Sequence, residues 1–326
     1  MKRPVFVLLL VAEVFCISVF HQTGAKLVAA ETSLKKTDNG YEVDLDGKLF
    51  AEYRTNWNGT PILWPVIGPN EKPMTRSYPM SDDNPSEVKD HPHHRSLWFT
   101  HDGVNGNNFW TTGTIAHQEF SKAECDGKTA TLVTKNHWID AKTKETVCSD
   151  VRTMTFGTIN HDHHELRYID FDVTLTAEQK TVTIADTKEG TFGIRVPSSV
   201  AVDAKKKDAK LGGTIVNAQG DKNDDAWGKR SEWVDYSGPV DGETAGIAVM
   251  NHPTSFRFPT WWHVRTYGLF AANPFGIRDF EPSLNQDGTI TLKKGDSLTF
   301  RYRVILHRGD ATAVDLPKLF KDYAAR

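Results

Sequence analysis

Cysteine is nearly missing from this chain: three occur among 326 residues, at Cys16, Cys125 and Cys148. No two are spaced as Cys-x-x-Cys and no His-Glu-x-x-His is present, so the common zinc frameworks and a redox dithiol are not encoded. Gly-x-Ser-x-Gly is lacking, as are the glycine fingerprints for phosphate and dinucleotide, which removes a serine-hydrolase elbow and a nucleotide cofactor. Charge of one sign is not in excess either: 39 Lys and Arg against 42 Asp and Glu give a net charge of -3, which offers no electrostatic footprint for nucleic acid. Beyond residue 30 no long apolar run occurs, and the mean hydropathy of -0.48 is that of a soluble chain, so no stable membrane span is expected after export.

The one apolar run opens the chain. Lys2 and Arg3 precede an apolar stretch over residues 4–20, and Val28, Ala29 and Ala30 make a small-residue exit. Residues 1–30 therefore read as a secretory signal, and residues 31–326 as one exported domain, periplasmic or extracellular. Glu13 interrupts the run and argues against a retained anchor. In an oxidising compartment Cys125 and Cys148, near the outer ends of two neighbouring strands, are candidates for a bridge adding ~3 kcal/mol. Neither sits in a histidine-rich or glycine-rich setting that would mark a catalytic thiol.

Period-two alternation dominates the rest. Residues 41–45, 49–54, 129–134, 152–156, 165–175, 246–250, 289–292 and 298–306 alternate polar with apolar side chains, the mark of strands with one buried face. Asn39-Gly40, Asp46-Gly47, Asp126-Gly127 and Asp287-Gly288 punctuate them as turns. Only residues 311–325, with Val314, Leu316, Leu319 and Phe320, read as a helix. The fold class expected is all-β: a large antiparallel β-sandwich with a short C-terminal helix. Residues 204–233, rich in Lys, Asp, Gly and Asn, read as an insertion looping over one sheet.

Chemistry-bearing residues concentrate in ordered motifs: Asp90-His-Pro-His-His-Arg-Ser-Leu-Trp-Phe, Asn105-Gly with Phe109-Trp110, Lys188-Glu-Gly-Thr-Phe-Gly-Ile-Arg-Val, Asn251-His-Pro, and Trp262-His-Val-Arg-Thr-Tyr-Gly-Leu-Phe-Ala-Ala-Asn-Pro-Phe-Gly. This set resembles a domain-of-unknown-function family whose bacterial members are often labelled methane oxygenase PmoA-like. A membrane monooxygenase subunit crosses the bilayer repeatedly, whereas this chain has one apolar segment, so the resemblance implies the family and not the activity. It also implies an architecture similar to the galactose-mutarotase-like supersandwich, shared by carbohydrate epimerases, hydrolases and lyases.

Alternation applied to a strand from Arg95 places His93, Arg95, Leu97, Phe99 and His101 on one face and His94, Ser96, Trp98 and Asp102 on the other, so the histidines are expected to diverge. His263 and Arg265 should share a face, beside Trp261 and Tyr267. Three readings follow. In the first, a carbohydrate site forms where residues 90–102 meet 260–273. His94, His101, Glu189 and His263 supply acid/base chemistry, and His93, Arg95, Asp102, His252, Arg265 and Asn273 contact a small-molecule or glycan substrate. In the second, three of His91, His93, His94, His101 and His263 hold a divalent metal, the one cofactor left open. In the third, the same surface binds glycan without chemistry. Against all three stands a bracing role: Trp98, Phe99, Phe109, Trp110, Trp262 and Phe270 suit a core, Asp90 a turn brace, and Arg95 and Arg265 structural ion pairs. The run His161-Asp-His-His, between two alternating strands, reads as an exposed hairpin connection.

Overall fold

The computed structural model describes residues 30–161, 164–203 and 211–326. The stretch read above as a secretory signal, with Cys16, lies outside the described residues apart from Ala30. In chain order the strands begin with β1 (Thr32–Lys36), β2 (Gly40–Leu45), β3 (Lys48–Trp57), β4 (Thr60–Val66), β5 (Leu97–His101) and β6 (Thr114–Cys125). They continue with β7 (Thr129–Ile139), β8 (Thr146–His161), β9 (His164–Thr176), β10 (Val182–Ile184), β11 (Gly190–Arg195) and β12 (Thr214–Asn217). The last are β13 (Trp233–Val240), β14 (Glu243–Asn251), β15 (Trp261–Val264), β16 (Leu269–Asn273), β17 (Ile290–Leu292) and β18 (Ser297–Arg308). Two α-helices complete the set, α1 (Ile277–Phe280) and α2 (Leu316–Ala324).

The strands form two eight-stranded sheets and a small β10–β17 pair. The first sheet runs β1-β2-β3-β4-β5-β11-β16-β15 and the second β12-β13-β14-β18-β9-β8-β7-β6; every strand pairing is antiparallel. One core lies between them, joining Leu97, Phe99, Phe192 and Phe270 of the first sheet to Phe171, Val249, Phe300 and Tyr302 of the second. The architecture is thus an antiparallel β-sandwich, as the alternation predicts. β7 illustrates the cause: Ala130, Leu132, Thr134, Asn136 and Trp138 are buried while the residues between them are half-exposed. Its polar members are paired: Asn136 Nδ2 and Trp138 Nε1 each donate at 2.7 Å to Asp150, whose charge is balanced by Arg152 at 2.9 Å.

The strands that carry the candidate site depart from alternation. Every residue of β5, β11, β15 and β16 is buried. Their inner face meets the second sheet, while Trp98, Leu269 and Ala271 on the outer face pack with Met80 and Trp110 from the segments that cover it. Close approach requires glycine here. A Cβ on Gly193 would stand 2.6 Å from the Trp98 ring, and one on Gly190 would stand 2.1 Å from His101 Nδ1.

Three sequence expectations are corrected. Of the stretch 204–233, the described part 211–233 is more than a loop, because it supplies edge strand β12 and places Trp227 against His263, with ring centroids 6.4 Å apart. The helix starts at Leu316, after Asp315 accepts from the Lys318 amide, rather than at residue 311. β8 and β9 pair antiparallel out to His161 and His164, and His161 is 4% exposed instead of open to solvent; the expected exposed connection itself, at Asp162 and His163, and the side chain of His164 lie outside the described residues.

Among the described residues, Cys125 and Cys148 are both free. Cys125 faces Ala130, Ala130 faces Phe156, and Cys148 lies eight positions from Phe156 along β8. At ~3.3 Å per residue that separation far exceeds the reach of a disulfide. Intact mass after alkylation under denaturing conditions should therefore be the same with and without prior reduction; two further alkyl groups appearing only after reduction would contradict this register.

Candidate functional site

A cleft of about 330 Å³ opens on the outer side of the first sheet. A turn before β5 gives His91, His93 and His94; residues 110–111 give Trp110 and Thr111; the entry to β11 gives Lys188 and Glu189; β15 and the turn after it give His263, Arg265 and Tyr267. This volume falls at the low end for small-molecule sites and suits one ring-sized group.

The histidine turn is built by positive backbone angles rather than by strand pleating. His91 and Ser96 have φ of 41° and 61°, and the His94 amide donates to His91 O at 2.9 Å. The chain therefore enters β5 only at Leu97: the expected parity holds for Leu97, Trp98 and Phe99 but does not extend back through Ser96 to His93. His91, His93 and His94 converge instead of diverging. His91 stacks between His94 and Tyr267, with centroids 4.8 and 5.2 Å away and rings within 8° of parallel, and His94 stacks on Trp98 at 5.5 Å.

Asp90 holds this turn from beneath. One of its oxygens, Oδ1, accepts from Arg76 Nη1 at 2.6 Å and from Arg195 Nη2 at 2.8 Å, while Oδ2 lies 3.0 Å from His91 Nδ1. Arg76, fully buried, donates further to the carbonyls of Tyr78, Val88, Asp90 and His91. Burial, then the Arg76 charge, pushes Arg195 down to about 10, still protonated at neutrality.

Arg195 also fixes a tautomer. Its Nη1 lies 3.0 Å from His94 Nδ1, and a guanidinium only donates, so Nδ1 accepts and the proton of His94 is on Nε2. Burial first and the Arg195 charge second hold His94 well below the usual imidazole range. His263 is set the opposite way. Its Nδ1 donates to Lys188 O at 2.8 Å, which leaves Nε2 as the lone-pair nitrogen. Burial takes His263 down to about 4 against the opposing pull of that hydrogen bond. His93 is likewise pushed to about 4, by burial and then by His91 and Arg95. The cleft thus presents neutral imidazoles of both polarities.

Several expected site residues lie elsewhere. His101 points inward: it has Ala185 O at 2.9 Å from Nε2, Thr191 Oγ1 at 3.3 Å from Nδ1, and the Phe275 ring beside it. Asp102 does not line the cleft; its amide donates to Glu189 O. Asn273 spans loops, giving Nδ2 to Thr187 O and taking the Phe275 amide. His252 belongs to the other sheet, where it meets Thr254, Arg301 and the Tyr323 ring of α2. Arg95 stands behind the wall, donating to Thr111 O at 3.1 Å.

The metal reading is also corrected. Among the described residues no three His, Cys, Asp or Glu side chains are grouped to hold an ion. Of the histidines in that reading, His101 has both nitrogens engaged, Nε2 by Ala185 O and Nδ1 by Thr191 Oγ1. Reading from sequence missed Arg76, Arg195, Lys188 and Trp227. Arg195 and Lys188 stand inside a quoted motif, whereas Arg76 carries no local signal.

Also among the described residues, no helix is long and apolar enough to cross a membrane. Solved structures similar to the chain include a galactose mutarotase-like protein from Clostridium acetobutylicum, at 8% identity and a TM-score of 0.34, covering 86% of this chain and 99% of that one. Another, from Lactobacillus casei, is 12% identical with a TM-score of 0.31, covering 85% and 100%. A polysaccharide lyase is 11% identical with a TM-score of 0.32; 87% of this chain is covered, and the chain spans 33% of that protein. No curated sequence matches the chain. Residues 40–321 match a family of unknown function, DUF6807, and the chain belongs to that family.

Proposed function

We propose that this chain is an exported carbohydrate-active protein whose cleft performs acid/base chemistry on one sugar residue. The observation that carries the reading is the pair of opposed tautomers: His94 with its proton on Nε2, His263 with its lone pair on Nε2, both rings lining one cleft. A neutral imidazole with a cation behind it is a strong hydrogen-bond donor towards an oxygen that gains negative charge. The second imidazole is an acceptor for the proton that leaves. Glu189, beside Lys188 at 3.5 Å, adds a carboxylate on the same wall. Trp110 and Tyr267 offer apolar ring faces, and the charged groups offer partners for hydroxyls, which suits the two characters of a sugar ring. Epimerisation, elimination and hydrolysis all use such a donor and acceptor. The methane oxygenase label attached to similar sequences plays no part in this reading.

Screening wild type and the His94→Ala, His263→Ala and double variants against neutral and acidic oligosaccharides tests it. Turnover should fall by about 10²–10⁴-fold in either single variant, with the folded state retained by circular dichroism. A double variant as active as wild type would sink the assignment.

A further inference from the structure

One arginine, the half-buried Arg265, lines the cleft, a second, the buried Arg95, stands behind its wall, and neither has an anionic partner among the described residues. Arg95 is 3% exposed, gives its one side-chain hydrogen bond to Thr111 O, and keeps its buried Nε without a partner. Arg265 lines the cleft itself, with its guanidinium 5.6 Å from the Trp227 ring centroid and 5.8 Å from that of Tyr267. Among the described residues, neither has a carboxylate within ion-pairing distance. Carboxylates do lie nearby, but they are committed. Asp90 is shared by Arg76 and Arg195, and Glu189 and Asp279 face Lys188 at 3.5 and 3.9 Å. The neighbouring imidazoles are neutral and add no negative charge.

A buried guanidinium without an anion is costly, because desolvation is repaid only by a charge partner or a full set of acceptors. The planar fork of arginine matches a carboxylate in two parallel hydrogen bonds, and its apolar faces rest on rings as Arg265 does. We propose that the missing anion arrives with the ligand, so that the cleft takes a sugar bearing a carboxylate, a uronic acid, seated on Arg265 with Arg95 as the supporting charge behind Thr111. This rests on the sugar reading above and adds the substrate class to it.

The test is titration calorimetry of the full chain with galacturonate, glucuronate and their oligomers, against the methyl esters, galactose and glucose, and against acetate and sulfate. The acids should bind about tenfold or more tighter than their esters, and the margin should shrink with added salt. Arg265→Met, on the cleft wall, should erase the margin while leaving thermal stability unchanged, whereas Arg95→Lys, which keeps the charge, should preserve most of it. Equal affinity for acid and ester overturns the carboxylate inference and leaves the sugar reading standing. Acetate or sulfate competing as well as free uronate overturns both, since the site would then select the anion alone. Failure of every acid and ester to bind overturns the inference as well.

Discussion

Replacing Asp90 by alanine is expected to cost the folded protein about 3–5 kcal/mol, the usual penalty for removing one partner of a buried ion pair. The magnitude follows from what remains. Arg76 is fully buried and Arg195 is 2% exposed, and Asp90 is the carboxylate placed between them, at 2.6 and 2.8 Å. Without it two like charges face each other in a poorly solvated region. Arg76 keeps its backbone acceptors, so the loss is of charge balance more than of hydrogen bonds. Asp90→Asn, which restores an acceptor without charge, should therefore recover only part of the stability. Urea unfolding of the three proteins decides it. A loss no larger than roughly 0.5 kcal/mol, the scale of an exposed substitution, would mean that Arg76 and Arg195 are solvated or otherwise compensated. The same change should weaken ligand binding, because Asp90 ties the His91 ring and the guanidinium that sets the His94 tautomer to one anchor.

That anchor marks the limit of what the sequence made legible. Alternation identified strands such as β7, and the outer parts of β9 and β18, because one wet and one dry face leaves a period of two in the residues there. It was silent on β11 and β16, buried on both sides by the second sheet and the covering segments, where apolar residues run on without a period. The site is built on those strands. The pairing of His263 with Arg265 was readable because β15 is a plain strand leading into a turn. The placement of His93 beside His94 was not, since it depends on positive φ at both His91 and Ser96, an angle uncommon outside glycine that residue type alone does not locate. Arg76 and Trp227 were illegible for a different reason. Each acts on residues far along the chain, Arg76 on Asp90 and Trp227 on His263, and such contacts exist only once both sheets have closed.

Acid should unfold this protein well before its carboxylates titrate, and the buried histidines set the window. Burial pushes His101 and His263 down to about 4, and it holds His94 lower still. An unfolded chain has these groups near 6.5. Between about pH 6.5 and 4 the unfolded state binds protons that the folded state refuses, so stability falls as pH falls. Each such histidine contributes a slope of up to ~1.4 kcal/mol per pH unit in the middle of that window, and His101 and His263 together up to ~2.7. Against a typical total of about 5–15 kcal/mol, two units of acidification would remove a large share. His307, raised by its buried partner Asp235 at 2.7 Å, does not offset this, because its contribution is complete below 6.5 and is lost only on going alkaline. Asp172 and Asp102, raised by burial, resist the loss only at the acid end. Melting temperatures at pH 7, 6, 5 and 4.5 should therefore fall steeply, and His101→Gln, which keeps a donor for Ala185 O but cannot titrate, should flatten the slope by the share of one histidine. A melting temperature unchanged from pH 7 to 5 would contradict neutral burial of these rings. The consequence for function is that His263 keeps its lone pair over the whole range in which the sandwich is folded, so any acid limb of activity should track unfolding and not titration of the cleft.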